Sequence, residues 1–462
     1  MQRDFDVIVI GSGGAGLAAA ITAADHGARV LLVEAGDSVG GSTALSTGVF
    51  YAAGTSVQRA RGIEDSADAM YHYCMTLSQY RAEASLVRRL ADESAGGLEW
   101  LMSHGVEYRP EHLYVAGVDT VPRGHRPVEY GAGLVAALDQ AASTRGVVTT
   151  LRTRVRRLLT SDGAVTGIEV DGESVHAGAV VVATGGFGQN RELLARYYPD
   201  AAIQDNLTWY IGGRHSNGDA IAMGQQVGAA LSGYNCGLLE ITAGFVKDPE
   251  SYLPGWLMFV NRDGRRFVNE TAAYAVMSGV VKAQLGGEAI VVFDEQARQS
   301  AKAVMSYKRL FENWVPERLE QFAREGKLTK TSSISELAEK VGIRRETLLT
   351  TVERYNRDCD AGQDTLFFKA PANLKPVRTP PFYAARVRPA ILVITGTGLR
   401  ISADAQVLDD ADRPIRGLFA AGEAAGGVIG ERYYGGGVSI ANNIVFGRLA
   451  GRGAAMTATT TR

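Results

Sequence analysis

The chain has 462 residues, 46% of them hydrophobic and 21% charged, with 55 glycines and a net charge of −2. That length carries two sizeable cores, and the near-neutral charge argues against nucleic acid or an anionic membrane surface as the main partner. Cys74, Cys236 and Cys359 stand apart, so neither a disulfide framework nor a metal site is expected. No apolar run approaches the ~20 residues that span a bilayer. The short, acidic start with Arg3, Asp4 and Asp6 does not read as a signal peptide. The expectation is a cytoplasmic protein with no transmembrane segment.

In chain order, residues 6–10 (Asp-Val-Ile-Val-Ile) read as a buried parallel strand and 17–26 as an alanine-rich helix. Residues 28–33 read as a second strand, closed by Glu34 and Ala35. Between the first strand and the helix stands Gly11-Ser12-Gly13-Gly14-Ala15-Gly16. Strand, GxGxxG, helix, strand and acid, in that order and spacing, predict a dinucleotide site. Gly11 permits the tight turn, Gly13 lets a pyrophosphate approach the backbone, and Gly16 lets the helix pack on the strands. The helix N-terminus faces the phosphates, and Glu34 is placed to accept bonds from a ribose diol.

The small-residue loop Gly40-Gly41-Ser42-Thr43-Ala44-Leu45-Ser46-Thr47-Gly48 predicts a backbone laid against a large flat ligand. Residues 63–104 carry a helical pattern, and 147–170 read as strands with a turn at Asp162-Gly163; Val155 in that stretch is a cofactor candidate. A buried strand over 179–183 ends in Ala183-Thr184-Gly185-Gly186, a second point of close approach. From about 236 to 377 glycine thins out and amphipathic helices are expected over 315–326 and 335–359. Residues 373–381 read as a proline-rich linker. A strand over 418–422 then runs into Gly422-Glu423, and Gly435-Gly436-Gly437 opens a final helix over about 439–451. The predicted architecture is α/β. A Rossmann-like FAD-binding domain with a glutathione-reductase-like sheet comes from residues 1–235 and 378–462, and an inserted α+β cap or catalytic domain from 236–377. No second GxGxxG follows a strand, so the dinucleotide is expected to be a held flavin, not a diffusing nicotinamide.

These pieces, together with Asn217-Gly218-Asp219, Gly264-Arg265-Arg266-Phe267-Val268-Asn269-Glu270 and Phe446-Gly447-Arg448, resemble the FAD-binding fumarate reductase and succinate dehydrogenase flavoprotein superfamily. They run in family order along nearly the whole chain. The resemblance implies FAD, with Glu34 on the adenosine ribose, Asn217 and Asp219 nearby, Glu423 on the ribityl chain, and the Ser439 and Ile440 backbone near the flavin pyrimidine.

Fumarate reductases of that group hold two carboxylates with arginines and histidines. Their catalytic arginine falls four residues after the motif glutamate, where this chain has Tyr274, and their second arginine falls where it has Tyr434. Thr395 stands where a histidine is expected, and all seven histidines lie at or before His215. The site is therefore not built for a dicarboxylate, and no histidine stands near Gly40–Ser46 to attach a flavin covalently. Tyrosine at both positions resembles the 3-ketosteroid dehydrogenase branch, leaning to the Δ4(5α) type. The resemblance implies desaturation of a small hydrophobic cyclic ketone beside its carbonyl, the α proton leaving to Tyr274 and the β hydride to flavin N5. Tyr434, with the Gly436, Gly437 and Val438 backbone, would stabilise the carbonyl oxygen. One ketosteroid pattern counts Tyr433 in place of Tyr434, and Tyr51 is a candidate relay. The electron acceptor stays unassigned. Two alternatives stand beside this reading: an enone or alkene reductase using the same site in reverse, and a flavoprotein subunit of a larger electron-transfer complex.

Overall fold

A computed structural model describes residues 3–202, 208–247, 253–306 and 309–460. They form two compact units. The first comprises Met1–Ile203, Gly212–Leu238 and Val393–Arg462, and the second Gln204–Ile211 and Leu239–Leu392.

In the first unit the strand Phe5–Ile10 pairs in parallel with Val30–Val33 on one side and Glu173–Val182 on the other. Val7, Ile8 and Val9 are fully buried, which is why the run is apolar throughout and does not alternate. Strand Pro414–Ala420 continues the sheet in parallel beyond Glu173–Val182, so the two ends of the chain share one sheet. The hairpin between Arg157–Ser161 and Ala164–Val170 turns at Asp162 and Gly163, both at positive φ, as expected there.

The helices Gly14–Asp25 and Val438–Thr460 approach at backbone distance. A Cβ on Gly447 would lie 2.5 Å from the Ala15 carbonyl oxygen, and one on Gly451 2.2 Å from that of Ala19. Neither neighbour is a side chain that can swing away, so Gly451→Val is expected to cost ~2–3 kcal/mol. A denaturation midpoint equal to that of the parent protein would refute this contact.

The second unit is built on residues 382–392 of the strand Phe382–Thr395, which pairs with Ala289–Asp294, Thr329–Thr331, Gly237–Thr242 and Trp209–Tyr210. Its alternating side chains feed two cores. Phe259, Val291, Phe293 and Tyr383 join Phe245, Trp314 and Phe322 on one face. Val260, Ile290, Val292 and Phe382 join Leu337, Leu348 and Tyr355 on the other.

Three expectations change. Residues 378–392 belong to the second unit, not to the FAD domain, because strand pairing holds them there. The segment before them is no linker: Val377 is buried, and Asp294 accepts from the Arg378 and Thr379 N–H groups. The single helix expected over 335–359 is two, Ile334–Val341 and Arg345–Ala361, separated at Gly342 with φ +74°. No helix among the described residues is long and apolar enough to cross a membrane.

Candidate active site

A cleft of about 420 Å³ opens in the first unit where the strands Phe5–Ile10, Val30–Val33 and Glu173–Val182 end. Gly11 has φ +98°, and a Cβ there would meet the Ala183 carbonyl oxygen at 2.4 Å. A Cβ on Gly16 would fall 1.7 Å from the Gly11 oxygen, whereas one on Gly13 meets nothing nearer than 3.9 Å. Gly11 and Gly16 thus make the turn, and Gly13 leaves its backbone open to a bulky anion. Glu34 is 9% exposed; its carboxylate accepts from Ser12 N at 2.9 Å, Ser12 Oγ at 2.6 Å and Gly36 N at 2.7 Å. That grip aims the acid into the cleft before any ligand is bound. Glu34→Ala is expected to weaken FAD retention ~10–100-fold, in line with the loss of charge-assisted hydrogen bonds, with circular dichroism unchanged. Unaltered retention in a flavin titration would contradict the assignment.

Gly11, Gly13, Gly14, Ala15, Glu34, Ala35, Gly41, Ser42, Thr43, Val155, Ala183, Thr184, Gly185, Asp219 and Glu423 all line this cleft. Thr43 Oγ1 accepts from the Gly14 N–H at 3.0 Å, tying the small-residue loop to the helix start. Asp219 pairs with Arg154 at 2.6 Å. Asn217 lines an adjoining cavity of about 440 Å³ that shares the Arg154–Asp219 wall. Gly16, Ser46, Thr47, Gly48, Gly422, Ser439 and Ile440 are not among the residues lining the cleft. Ser46 and Gly48 shape the loop, Ser46 Oγ donating to the Thr43 carbonyl and accepting from the Gly48 N–H. A Cβ on Gly422 would press on Ala15 at 2.9 Å. The cleft also recruits Ser12, Arg154, His215 and Asn443, which the sequence reading missed: Ser12 fills a variable motif position, and the others come from distant segments without a motif.

Glu423 is half-buried, and its Oε1 accepts from both Thr395 N and Thr395 Oγ1 at 2.7 Å. Burial pushes its acidity below that of an ordinary carboxyl, and the Thr395 bonds oppose the shift. Thr395, the residue found where a histidine was expected, therefore positions Glu423.

Tyr434, the expected carbonyl donor, is fully buried, and its hydroxyl donates to the Val428 carbonyl at 2.8 Å. The hydroxyl is spent inside the protein, which corrects that assignment. The neighbouring Tyr433 Oη lies 3.0 Å from Ser439 Oγ and accepts from the Ser439 N–H at 3.0 Å. The Ser439 N–H expected at the flavin is thus bonded to Tyr433. Of the expected backbone donors, Gly436 N binds the Ala116 carbonyl and Val438 N that of Gly435, while Gly437, at φ +104°, presents its own carbonyl to Tyr51 N.

Tyr274 is the first residue of the second unit's helix Tyr274–Lys282 and is partly exposed. The segment leading to it is anchored by a buried ion cluster. Arg266 bonds both oxygens of Glu270 at 2.9 Å and both of Asp364 at 2.9 and 3.1 Å. Its guanidinium also lies over the rings of Tyr355 and Phe367, and Lys369 Nζ lies 3.4 Å from Glu270. The motif residues hold the loop, and Tyr274 is the residue they present.

One further acid escaped the sequence reading. Glu240, on the strand Gly237–Thr242, is 7% exposed, and its Oε2 is buried with no hydrogen-bond partner among the described residues. An orphaned buried polar atom costs ~1–3 kcal/mol, and burial alone pushes this carboxyl up to about 8.

Residues 6–440 match the FAD binding domain family. The chain belongs to that family. It is 34% identical over 97% of its length to a probable fumarate reductase, Ifc3, of Shewanella frigidimarina, covering 74% of that protein. It is 33% identical over 98% of its length to an NADH:fumarate oxidoreductase of Klebsiella pneumoniae, of which it spans about half, 48%. Among solved structures, the 3-ketosteroid-Δ4-(5α)-dehydrogenase of Rhodococcus jostii RHA1 is similar with a TM-score of 0.81 and 27% identity, covering 98% of both chains. The protein is an FAD-dependent oxidoreductase of the fumarate reductase superfamily, and the glycine turn, the held Glu34 and the open Gly13 backbone fit that cofactor.

Proposed function

We propose that the protein reduces carbon–carbon double bonds conjugated to an uncharged carbonyl. The observation that carries this reading is Tyr274, presented at a helix start where the superfamily resemblance places an arginine. A phenol transfers a proton and donates a hydrogen bond without the fixed positive charge that selects a carboxylate. FAD, when bound and reduced, supplies the hydride. Tyr274 Oη holds the proton destined for the α carbon and regains it from solvent, so C=C becomes CH–CH. Tyr433 takes over the role first expected of Tyr434, with Ser439 fixing its hydroxyl. Similarity to reductases supports this direction over desaturation, the opposite of the ketosteroid expectation. Saturated-ketone dehydrogenation is the second reading, supported by the 0.81 likeness to the ketosteroid enzyme over almost its whole chain. FAD is proposed to be non-covalent and released by acid precipitation.

The test is steady-state oxidation of reduced methyl viologen by 2-cyclohexen-1-one, 4-androstene-3,17-dione and fumarate. At least one enone is expected to exceed fumarate ~10-fold or more in kcat/KM, the scale at which a mismatched site discriminates. Preference for fumarate would overturn the proposal.

A further inference from the structure

The second unit holds a cavity of about 230 Å³, and no residue lining it lines the FAD cleft. Alternation along the strand Phe382–Thr395 sets part of its wall. Tyr383, Ala385 and Val387 join the aromatic core, so Arg386 and Arg388 stand on the opposite face, and both line the cavity. Lys340 lines it from the last turn of the helix Ile334–Val341, and Lys327 from the turn that follows the helix Pro316–Arg324. Thr242 and Thr329, at the ends of their strands, add two hydroxyls.

Four cations therefore line one small cavity, and no aspartate or glutamate of the described residues lines it. Three of the cations have carboxylate partners that stand outside the lining. Lys327 pairs with Glu325 at 2.9 Å and Lys340 with Glu336 at 3.0 Å. Arg386 pairs with Glu288, which it shares with Arg262, and also donates to the Val341 carbonyl at 3.2 Å. Exposed pairs such as those of the two lysines are weak and screened by water, so a multiply charged anion competes for them. Thr242 Oγ1 accepts from the Gly244 N–H, which leaves its own proton to donate.

We propose that this cavity binds a small phosphate-bearing molecule. Its two guanidiniums and two ammoniums come from a strand, a helix and a turn, and so approach from separate elements. A tetrahedral phosphate presents acceptor oxygens in several directions, whereas a carboxylate presents two in one plane. The volume falls below the ~300–1,000 Å³ of pockets that take drug-sized ligands. That suits inorganic phosphate, pyrophosphate or a short phosphate monoester and leaves out a nucleotide. Such a site is independent of the flavin reaction, since every residue lining it belongs to the second unit.

The test is calorimetric titration of the FAD-loaded protein with inorganic pyrophosphate, with chloride holding the ionic strength constant. One site per chain is expected, with Kd of ~100 μM or lower, as two or three charge-assisted hydrogen bonds provide. Saturating pyrophosphate should also raise Tm. Lys327→Gln and Lys340→Gln should each weaken binding ~10-fold. Both side chains are about half exposed, so both variants should fold with Tm close to that of the parent. Arg413→Gln removes a cation from the exposed surface of the first unit and should leave the affinity unchanged. Citrate, which carries its charge on carboxylates, should bind more weakly than pyrophosphate. Neither heat nor a rise in Tm with pyrophosphate up to ~10 mM, parental affinity in both lysine variants, or an equal loss in Arg413→Gln would overturn the site. Citrate binding as tightly as pyrophosphate would overturn the phosphate assignment.

Discussion

Tyr274→Phe is expected to lower turnover ~10²-fold or more while FAD stays bound, the loss that follows removal of a positioned general acid. The change deletes one oxygen atom from a partly exposed side chain at the first position of the Tyr274–Lys282 helix. Packing of Met277 and Val281 into the core beneath is untouched, so Tm should move by no more than a degree or two. The KM-against-kcat split is informative: a proton donor used only in the reaction lowers kcat and kcat/KM together. If Tyr274→Phe keeps parental kcat in the viologen assay, Tyr274 is a packing residue. Tyr434→Phe, which removes a hydroxyl bonded to Val428, should instead lose stability and spare kcat.

Arg266→Met is expected to destabilise the second unit by ~3–5 kcal/mol, the usual result of removing one partner from a buried ion cluster. Glu270 and Asp364 are both buried, and without Arg266 the cation left beside them is Lys369, 3.4 Å from Glu270. Arg266→Lys should recover little, because one ammonium cannot serve two carboxylates edge-on. The pH dependence gives a second reading. Burial opposes ionisation of Asp364, and the Arg266 bonds overcome it, holding that carboxyl at about 2. A carboxyl depressed in the folded state contributes stability above its ordinary value near 3.8, lost as pH falls toward about 2. The acid limb of the parent's stability curve should therefore be steeper than that of Arg266→Met. Equal midpoints in urea at pH 7 would show that the cluster holds nothing together.

Local patterning made the cofactor cleft legible. The apolar strands, the glycine spacing and Glu34 are each set within a few residues, and the structure brings their side chains and backbone together around one cleft. The unit boundary was not legible because Phe382–Thr395 is one continuous strand, and composition does not change where its pairing partners do. The adjacent pair Tyr433 and Tyr434 differ only in which way each side chain turns, a matter of local backbone path that no spacing encodes. Glu240 did leave a signal: a lone acid in Gly-Leu-Leu-Glu-Ile-Thr interrupts a mostly apolar strand.

A single-turnover experiment reads the direction and class of the reaction most directly. Holoenzyme reduced by dithionite and freed of excess reductant is mixed anaerobically with 2-cyclohexen-1-one, 4-androstene-3,17-dione or fumarate. Return of the oxidised flavin absorbance is then followed. Rapid, stoichiometric reoxidation by an enone with formation of the saturated ketone is expected, and slow reoxidation by fumarate. Reoxidation by fumarate alone, or bleaching of the oxidised enzyme by a 5α-saturated 3-ketosteroid with no response of the reduced enzyme to either enone, would contradict it.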